Sequence, residues 1–289
     1  MVLKKIKKNV SLKKYTTLKI GGRAKFFLVV RNKDDFLEGV KWAKEKKRKI
    51  FVLGGGSNLL VSDQGFNGLV LKNEYLGIER EKNFLRVKSG EKLSFVLNFC
   101  FLNSLTGLEW AVGIPGTVGG AVFGNAGAFG SSIGDLVEGV KVLDLNDLKI
   151  KKISKEKIWF SYRDSFFKKK KKYIILEVLL KLKKGERRKI KEKIGEFLKK
   201  KKENQPLDFF SAGCVFKNPP GISAGELIEK LGFKGKKIGR IMVSLKHANF
   251  FLNLGGGRAK DFLKLIREVK KEAKKVFKID LKEEIIFLK

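Results

Sequence analysis

The segment "GIPGTVGGAVFGNAGAFG" (residues 113–130) constrains the fold of this chain more than any other stretch. It holds seven glycines in eighteen residues, together with the apolar side chains of Ile114, Val118 and Val122. Glycine lets a backbone approach a neighbouring group closely, whereas flexible linkers lack apolar anchors of this kind. We therefore predict an ordered backbone that lies along an extended ligand such as a dinucleotide.

A second glycine turn, "GGGSN" (residues 54–58), follows the apolar strand "IFVL" (residues 50–53). Backbone N–H groups without flanking side chains can converge on a phosphate. A plain tight turn would explain one or two glycines, so three of them followed by Ser57 and Asn58 favour a ligand. The pattern differs from a nucleotide-binding Walker loop, because no Lys-Ser or Lys-Thr pair follows the glycines.

The charge of the chain is strongly positive, with 65 Lys and Arg against 30 Asp and Glu and a formal net charge of +35. Such an excess suits nucleic acid, membrane phosphates or an anionic small ligand. The lysines are spread over nearly every predicted helix and turn, so solvated faces are the simpler explanation. Because no apolar run is long enough for a membrane helix or a signal peptide, we expect a cytoplasmic protein without stable membrane insertion.

The two cysteines show neither CxxC nor Cys/His spacing, so the sequence predicts no disulfide and no metal site. Cys100 falls on an apolar helical stripe and is predicted to be a buried structural thiol. Cys214, in "SAGCVFKNPP", follows a glycine, and the polar pair Lys217 and Asn218 comes soon after it. That setting suits a loop in a functional site better than a small residue in the core.

Periodicity predicts a mixed order of helices and strands, and hence an α+β fold. Helices are expected over residues 34–47, 92–105, 185–206 and 223–232, and the first of them is predicted to carry Phe36, Val40 and Ala43 on one face. Strands are expected over residues 50–53, 140–145, 173–182, 241–244, 249–254 and 283–289. Ser223 is the predicted N-cap of its helix and Gly232 its stop signal. A last, long helix is predicted to turn one apolar side to the core, formed by Phe262, Leu265, Ile266, Val269, Ala273 and Val276.

Several motifs together resemble the UDP-N-acetylenolpyruvoylglucosamine reductase (MurB) family. They are "GGGSNLLV", "GLEWAVGIPGTVGGAVFGNAGAFG", "FSYRDSFF", "SAGCVFKNP", "AGELIEKLGFKG", "VSLKHANFFLN" and "EEII", in the family's order and approximate spacing. The similarity runs from Tyr15 to the carboxyl end. The short distance between "YRDS" and "SAGC" resembles the compact type II of the family.

The resemblance implies a two-part FAD-binding module of the vanillyl-alcohol-oxidase (PCMH) type and a smaller α+β substrate-binding domain. We assign residues 1–72 and 73–202 to the two FAD-binding subdomains and residues 203–289 to the substrate domain. The C-terminal strand, residues 281–289, is a candidate to return to the first subdomain.

The implied activity is reduction of UDP-N-acetylglucosamine enolpyruvate to UDP-N-acetylmuramate in peptidoglycan precursor synthesis. FAD would be bound noncovalently, with NADPH as cosubstrate. The expected partner is therefore a UDP-sugar, without nucleic acid and without an obligate protein partner.

Three residues match the family's catalytic positions. Arg163 matches an arginine beside the flavin that holds the substrate carboxylate, although a surface salt bridge to Asp164 would also explain it. Cys214 stands where the family usually has a serine acting as general acid, and a thiol with a reference pKa of ~8.5 remains a sensible proton donor. Glu284 matches the carboxy-terminal glutamate. Strand alternation alone leaves Glu283 as a rival.

The resemblance also implies two sets of binding residues. The cofactor set is Gly54, Gly55, Gly56, Ser57, Asn58, Gly113, Pro115, Gly116, Thr117, Gly119, Gly120, Ala126 and Gly127. The substrate set is Lys217, Asn218, Lys246, His247 and Asn249. His247, the one histidine of the chain, is either a ligand contact or a structural residue.

Two alternatives remain open at the level of sequence. A basic nucleic-acid-binding protein would explain the charge but leave the glycine-rich stretches without a role. An FAD-linked oxidase of another small substrate would have no use for Arg163, Cys214 and Glu284 together.

Overall fold

The structure is a computed structural model that describes residues 5–289. The first four residues, part of the amino-terminal stretch predicted to lack a signal peptide, lie outside the described range. The helices are α1 (Lys33–Glu45), α2 (Leu93–Leu102), α3 (Val118–Gly124), α4 (Phe166–Lys169), α5 (Arg187–Asn204), α6 (Ala224–Lys230) and α7 (Ala259–Phe277).

The strands are short and numerous. The first ten are β1 (Lys7–Ser11), β2 (Arg23–Val30), β3 (Lys49–Leu53), β4 (Leu59–Val61), β5 (Phe66–Asn73), β6 (Ile78–Glu81), β7 (Phe84–Lys88), β8 (Leu105–Thr106), β9 (Gly127–Ala128) and β10 (Ser131–Ser132). The others are β11 (Val137–Asp144), β12 (Ile150–Ser154), β13 (Phe160–Ser161), β14 (Asp164–Ser165), β15 (Tyr173–Lys181), β16 (Lys183–Lys184), β17 (Phe210–Cys214), β18 (Lys237–Ile238), β19 (Ile241–Val243), β20 (Phe250–Asn253) and β21 (Ile286–Leu288).

The chain divides into two compact units. The first contains Phe27–Gly55, Leu69–Lys201 and the described residues before Lys7, and the second contains Lys7–Phe26, Gly56–Gly68 and Lys202–Lys289. The predicted border at residues 202 and 203 lies one residue from the junction of Lys201 and Lys202. Two segments from the first 72 residues group with the C-terminal part, and no shift in composition marks them in the sequence.

The first unit is built on an antiparallel sheet in the order β12-β11-β15-β7-β6. Alternation along β7 turns Leu85 and Val87 into the core and leaves Arg86 and Lys88 on the other face. Helices α2 and α3 contribute to that core. Cys100 of α2 is buried as predicted, and burial raises the pKa of its thiol to about 12.

The second unit has its own sheet, in the order β17-β20-β19-β18, with α6 and α7 packed into the same core. The apolar stripe of α7 is buried as predicted over Phe262 to Ala273. Val276 is the exception, with 55% of its surface exposed, because it lies in the last turn of the helix. The C-terminal strand β21 pairs in parallel with β4.

A further sheet has the order β1-β2-β5-β3. Its strands β2 and β5 each pass from one unit into the other along the chain. Helix α1 buries Phe36, Val40 and Ala43, the face that the sequence predicted. In the described residues, no helix is long and apolar enough to cross a bilayer.

Candidate active site

The glycine-rich segment forms a bend and then the short helix α3, which ends at a residue in the left-handed backbone conformation. Thr117 is the N-cap of α3, and its hydroxyl accepts a hydrogen bond from the N–H of Gly120 at 3.4 Å. A Cβ at Gly119 would stand 2.8 Å from the Cβ of Ser89, so only glycine fits there. Asn125 ends the helix with a φ of 46°, a conformation that asparagine tolerates.

The two predicted cofactor segments meet within the first unit. A Cβ added at Gly54 would lie 2.5 Å from Oγ1 of Thr117, and one at Gly55 would lie 2.7 Å from Cα of Gly116. These glycines are therefore required by packing between the two segments. The approach of a ligand, predicted from the sequence, is therefore not needed to explain these two glycines.

Lys72 is a cation beside this turn that the sequence analysis missed. Its Nζ donates a hydrogen bond to the carbonyl of Gly54 at 2.6 Å. Burial lowers the pKa of this lysine, and the charge of Lys92 also lowers it while Glu74 raises it. In the sequence, Lys72 stands out only as a charged residue directly after three apolar residues of β5. These residues, Leu69, Val70 and Leu71, are buried.

Two glycines of α3 face open space. The position of a Cβ at Gly124 has no atom within 4 Å, and at Gly120 only Oγ1 of Thr117 is near, at 3.5 Å. Packing within the protein does not require glycine at these two positions, although each glycine costs about 0.5–1 kcal/mol relative to alanine in a helix. The open backbone therefore fits a cofactor that lies against the helix.

Arg163 lies in the turn between β13 and β14, with a φ of 54°. Its Nη1 donates to the carbonyl of Gly127 at 3.0 Å, which ties the arginine to the glycine-rich segment. Asn125 anchors the same hairpin, because its Nδ2 donates to the carbonyl of Ser161 at 2.8 Å. The neighbouring Asp164 pairs with Lys169 at 3.4 Å.

Cys214 ends β17 in the second unit and is half-buried opposite Phe250. Gly213 has a φ of +77° at an irregularity in the strand pairing, so a side chain there would be strained. The thiol thus lies at an irregular strand end rather than in the predicted loop. The chain then continues into Val215, whose N–H donates to the carbonyl of Asn249 at 2.8 Å.

Glu284 lies beside the Cys214 strand. Its N–H donates to the carbonyl of Val215 at 2.8 Å, and its own carbonyl accepts from Nδ2 of Asn58 at 3.1 Å. Glu283 is exposed and pairs with Lys270 at 2.7 Å. Glu284 is half-buried and its main chain is bonded to the residue after Cys214, whereas the carboxylate of Glu283 is paired with Lys270 at the surface.

The 54–58 turn divides at the border of the two units. Gly56 belongs to the second unit, where its φ is +64° and a Cβ would stand 2.1 Å from the carbonyl oxygen of Tyr15. Asn58, also in the second unit, donates a side-chain hydrogen bond to the Glu284 segment, and Ser57 is half-buried.

Asn249 was predicted to contact substrate, but its side chain is 1% exposed. Its Oδ1 accepts from the N–H of Phe216 at 2.9 Å, and its Nδ2 donates to the carbonyl of Phe216 at 2.8 Å. Through these bonds, Asn249 stabilises the segment that directly follows the strand of Cys214.

Asn249→Leu should lower the free energy of unfolding by about 2–4 kcal/mol, because it leaves the buried N–H and C=O of Phe216 without this partner. Urea titration of the purified variant measures the loss. Asn146→Leu, at an exposed hairpin position, is the matched control and should change little. Equal unfolding curves for both variants would contradict the support role.

The remaining substrate-set residues lie on the second unit. His247 is half-buried: its Nδ1 accepts from the N–H of Asn249 at 3.2 Å, and burial lowers its pKa. Asn218 is exposed, and its Oδ1 accepts from the N–H of Ala224 at 3.0 Å. The predicted N-cap Ser223 occupies the cap position but its side chain makes no capping bond there, so Asn218 performs the capping.

Two lysines complete that set. Lys217 is half-buried, and its N–H donates to the carbonyl of Lys282 at 2.9 Å. Lys246 is exposed, and its Nζ hydrogen-bonds the carbonyl of Lys202. Both ammonium groups lie in the unit that carries Cys214 and Glu284.

The structure thus gathers the predicted residues into two groups. In the first unit, Arg163, Gly127 and the α3 segment are linked by hydrogen bonds, and Gly54 and Gly55 pack on the start of that segment. In the second unit, the Cys214 strand, Glu284 and Asn58 are joined through main-chain and side-chain bonds. Pro115 is exposed and Ala126 half-buried on the glycine-rich segment.

Comparison with known proteins first defines the class. Residues 24–154 match the family profile described as an FAD binding domain, which covers Gly54, Gly55 and the whole glycine-rich segment. The chain is therefore a flavoprotein.

The particular family follows from the rest of the chain. Residues 205–288 match the C-terminal domain of UDP-N-acetylenolpyruvoylglucosamine reductase. The chain is 41% identical over 278 residues to the reductase of that name from Caldanaerobacter subterraneus, covering 96% of this chain and 91% of the relative. It is also 41% identical over 281 residues to the one from Clostridium novyi, covering 97% and 91%.

A solved structure agrees with these relatives. The crystal structure of UDP-N-acetylenolpyruvylglucosamine reductase from Thermus caldophilus superposes with a TM-score of 0.85 at 36% identity, over 98% of each chain. This chain belongs to the UDP-N-acetylenolpyruvoylglucosamine reductase family, and its fold is the α+β arrangement of that family.

Proposed function

We propose that this chain reduces UDP-N-acetylglucosamine enolpyruvate to UDP-N-acetylmuramate with NADPH and FAD, in peptidoglycan precursor synthesis. Family membership along nearly the whole chain supports this activity. The observation that carries it is the bond from the N–H of Glu284 to the carbonyl of Val215, the residue after Cys214. This bond supports the proposal because it joins the segment that carries the Glu284 carboxylate to the segment that carries the thiol, and proton delivery to carbon needs a positioned acid side chain.

FAD, when bound, supplies hydride to the methylene carbon of the enolpyruvyl ether, and NADPH replenishes it. Main-chain groups of the 54–58 turn and of the glycine-rich segment would hold the cofactor. The open side of α3 at Gly120 and Gly124 leaves room for it. The proposed contacts are those predicted from the sequence: Gly54–Asn58, Gly113, Pro115, Gly116, Thr117, Gly119, Gly120, Ala126 and Gly127.

Arg163 would bind the carboxylate of the substrate. When the methylene carbon gains hydride, the π electrons of the double bond move to the neighbouring carbon and its carboxylate as an enolate. A guanidinium group offers a planar pair of donors to this developing charge. Its bond to Gly127 fixes the arginine relative to the cofactor-binding segment.

Cys214 would donate its Sγ–H proton to the carbon that bears the carboxylate, which completes the reduction. The thiolate left behind would regain a proton through Glu284 from solvent. The net change is one hydride and one proton added to the substrate and one NADPH oxidised.

The UDP-sugar would be held by residues of the second unit. Lys217 and Lys246 provide ammonium groups for the pyrophosphate, and Asn218 and His247 provide polar contacts. Asn249 would contribute indirectly, because it stabilises the main chain at Phe216.

The cofactor should be released intact by denaturation, because the chain's one histidine, His247, is proposed to contact the substrate rather than to attach the flavin. The purified protein should be yellow. After acid precipitation, the flavin absorbance should remain in the supernatant. Flavin retained on the precipitate would contradict noncovalent binding.

The activity is tested by measuring NADPH oxidation with and without the enolpyruvyl UDP-sugar. We expect oxidation to depend on that substrate, and small alcohols to have no effect. A colourless protein that shifts RNA at moderate salt would instead support the nucleic-acid alternative. Flavin reduced by small alcohols would support the oxidase alternative.

A further inference from the structure

Helix α5 carries one buried lysine, Lys201, which is 4% exposed. The only other buried residue of this 18-residue helix is Ile190, and the rest of its surface is rich in charge. Lysine is almost never fully buried without a partner. The position of Lys201 therefore calls for an interaction that compensates for the loss of solvent.

The side chain of Lys201 reaches both ends of the glycine-rich segment. Its Nζ donates to the carbonyl of Val112 at 2.5 Å, immediately before the segment begins. Its Cδ lies 3.5 Å from the place of a Cβ at Gly113, whose φ is +68°. Near the other end of the segment, Nζ lies 5.7 Å from the ring centroid of Phe129. A cation at this distance from a ring face is attracted to it.

A second side chain of α5 reinforces the contact. The ring of Phe197 stacks on that of Phe129, with centroids 4.2 Å apart and an interplanar angle of 3°. Phe197 and Lys201 are four residues apart and so share one face of the helix. Lys193 lies over the same Phe197 ring at 5.9 Å.

We propose that Lys201 is a positioning residue that holds the two ends of the glycine-rich segment in the shape that binds FAD. A loop ordered before its ligand arrives loses less conformational freedom on binding, so the ligand binds more tightly. The proposal rests on flavin binding and not on the identity of the substrate.

The charge of Lys201 provides a signature of this role. Burial lowers its pKa to about 8, and among the described residues no charged group contributes to that shift. The groups that face it are the Val112 carbonyl and the Phe129 ring, with Lys193 beyond Phe197. Above pH 8 the neutral amine can still donate to Val112, but the attraction to Phe129 is lost and the hydrogen bond weakens.

Folding stability should rise over the same pH range in which FAD binding weakens. The pKa of Lys201 is lower in the folded state than the model value of 10.5, so the unfolded chain binds more protons between about pH 8 and 10.5. This group therefore adds stability as the pH rises through that window. If Lys201 had a purely structural role, its deprotonation would not weaken FAD binding while it increases the stability of the fold.

The test compares wild type with Lys201→Met, Lys201→Arg and the control Lys199→Met, which changes an exposed lysine of the same helix. Each apoprotein is titrated with FAD by flavin fluorescence on both sides of pH 8, and its thermal midpoint is recorded. Lys201→Met should raise the Kd for FAD by about 10- to 100-fold below pH 8 and abolish the change of Kd across pH 8. Lys201→Arg should keep tight binding without that change, because guanidinium does not titrate there.

Wild-type FAD affinity that stays flat across pH 8 would overturn the proposal, even if both Lys201 variants failed to fold. Equal affinities of Lys201→Met and Lys199→Met would overturn it as well. Since no substrate is present in the titration, these outcomes leave the proposed reduction untouched.

Discussion

Cys214→Ala is expected to lower product formation by about 10²- to 10⁴-fold while NADPH still bleaches the bound flavin at close to the wild-type rate. The thiol is assigned to proton delivery alone, so the step that consumes NADPH does not need it. The two half-reactions are separated by stopped-flow absorbance, with NADPH first and the enolpyruvyl UDP-sugar second.

Cys214→Ser should retain much of the overall turnover, because a hydroxyl at the same position can also donate a proton and is the residue usual in the family. The matched control is Cys100→Ala, which removes the other thiol from the core of the first unit. It should reduce stability and leave turnover per folded molecule unchanged. Wild-type product formation by Cys214→Ala would remove the thiol from the mechanism.

Arg163→Met is expected to reduce product formation by about 10²- to 10³-fold, the loss typical when one group that stabilises developing negative charge is removed. It also deletes the 3.0 Å bond from Nη1 to the carbonyl of Gly127. Flavin content must therefore be measured with the rate. We expect the rate per bound flavin to fall far more than the flavin content.

Arg163→Lys should recover only part of the rate, because an ammonium keeps the charge but lacks the planar pair of donors. Arg188→Met is the matched control, since Arg188 is exposed on α5 near Glu192. A normal rate per bound flavin in Arg163→Met, with reduced flavin content, would limit Arg163 to supporting the glycine-rich segment.

Regular elements could be predicted where one periodicity runs without interruption. The face of α1 and the stripe of α7 followed from spacing alone, because burial repeats with the helical period. Val276 fits the same spacing, yet the helix ends one residue later, and the end of a helix can leave the core. Strands of two residues, such as β13 and β14 around Arg163, are too short for any alternation to show.

The sequence indicates candidate residues for the site, but it does not indicate which residues hold them in place. Cys214 and Glu284 are far apart in sequence, and only the antiparallel bridge between Phe216 and Glu283 shows that their segments are neighbours. Asn249 belongs to a family motif, so the sequence could not distinguish a substrate contact from a buried amide. Lys201 stands in a run of four lysines and becomes distinct only through its burial.

The most direct test of the account is product identification by mass spectrometry after reaction of the purified protein with UDP-N-acetylglucosamine enolpyruvate and NADPH. We predict UDP-N-acetylmuramate, heavier than the substrate by one hydride and one proton, in equal amount to the NADPH oxidised. NADPH oxidation that leaves the enolpyruvyl ether unchanged would contradict it.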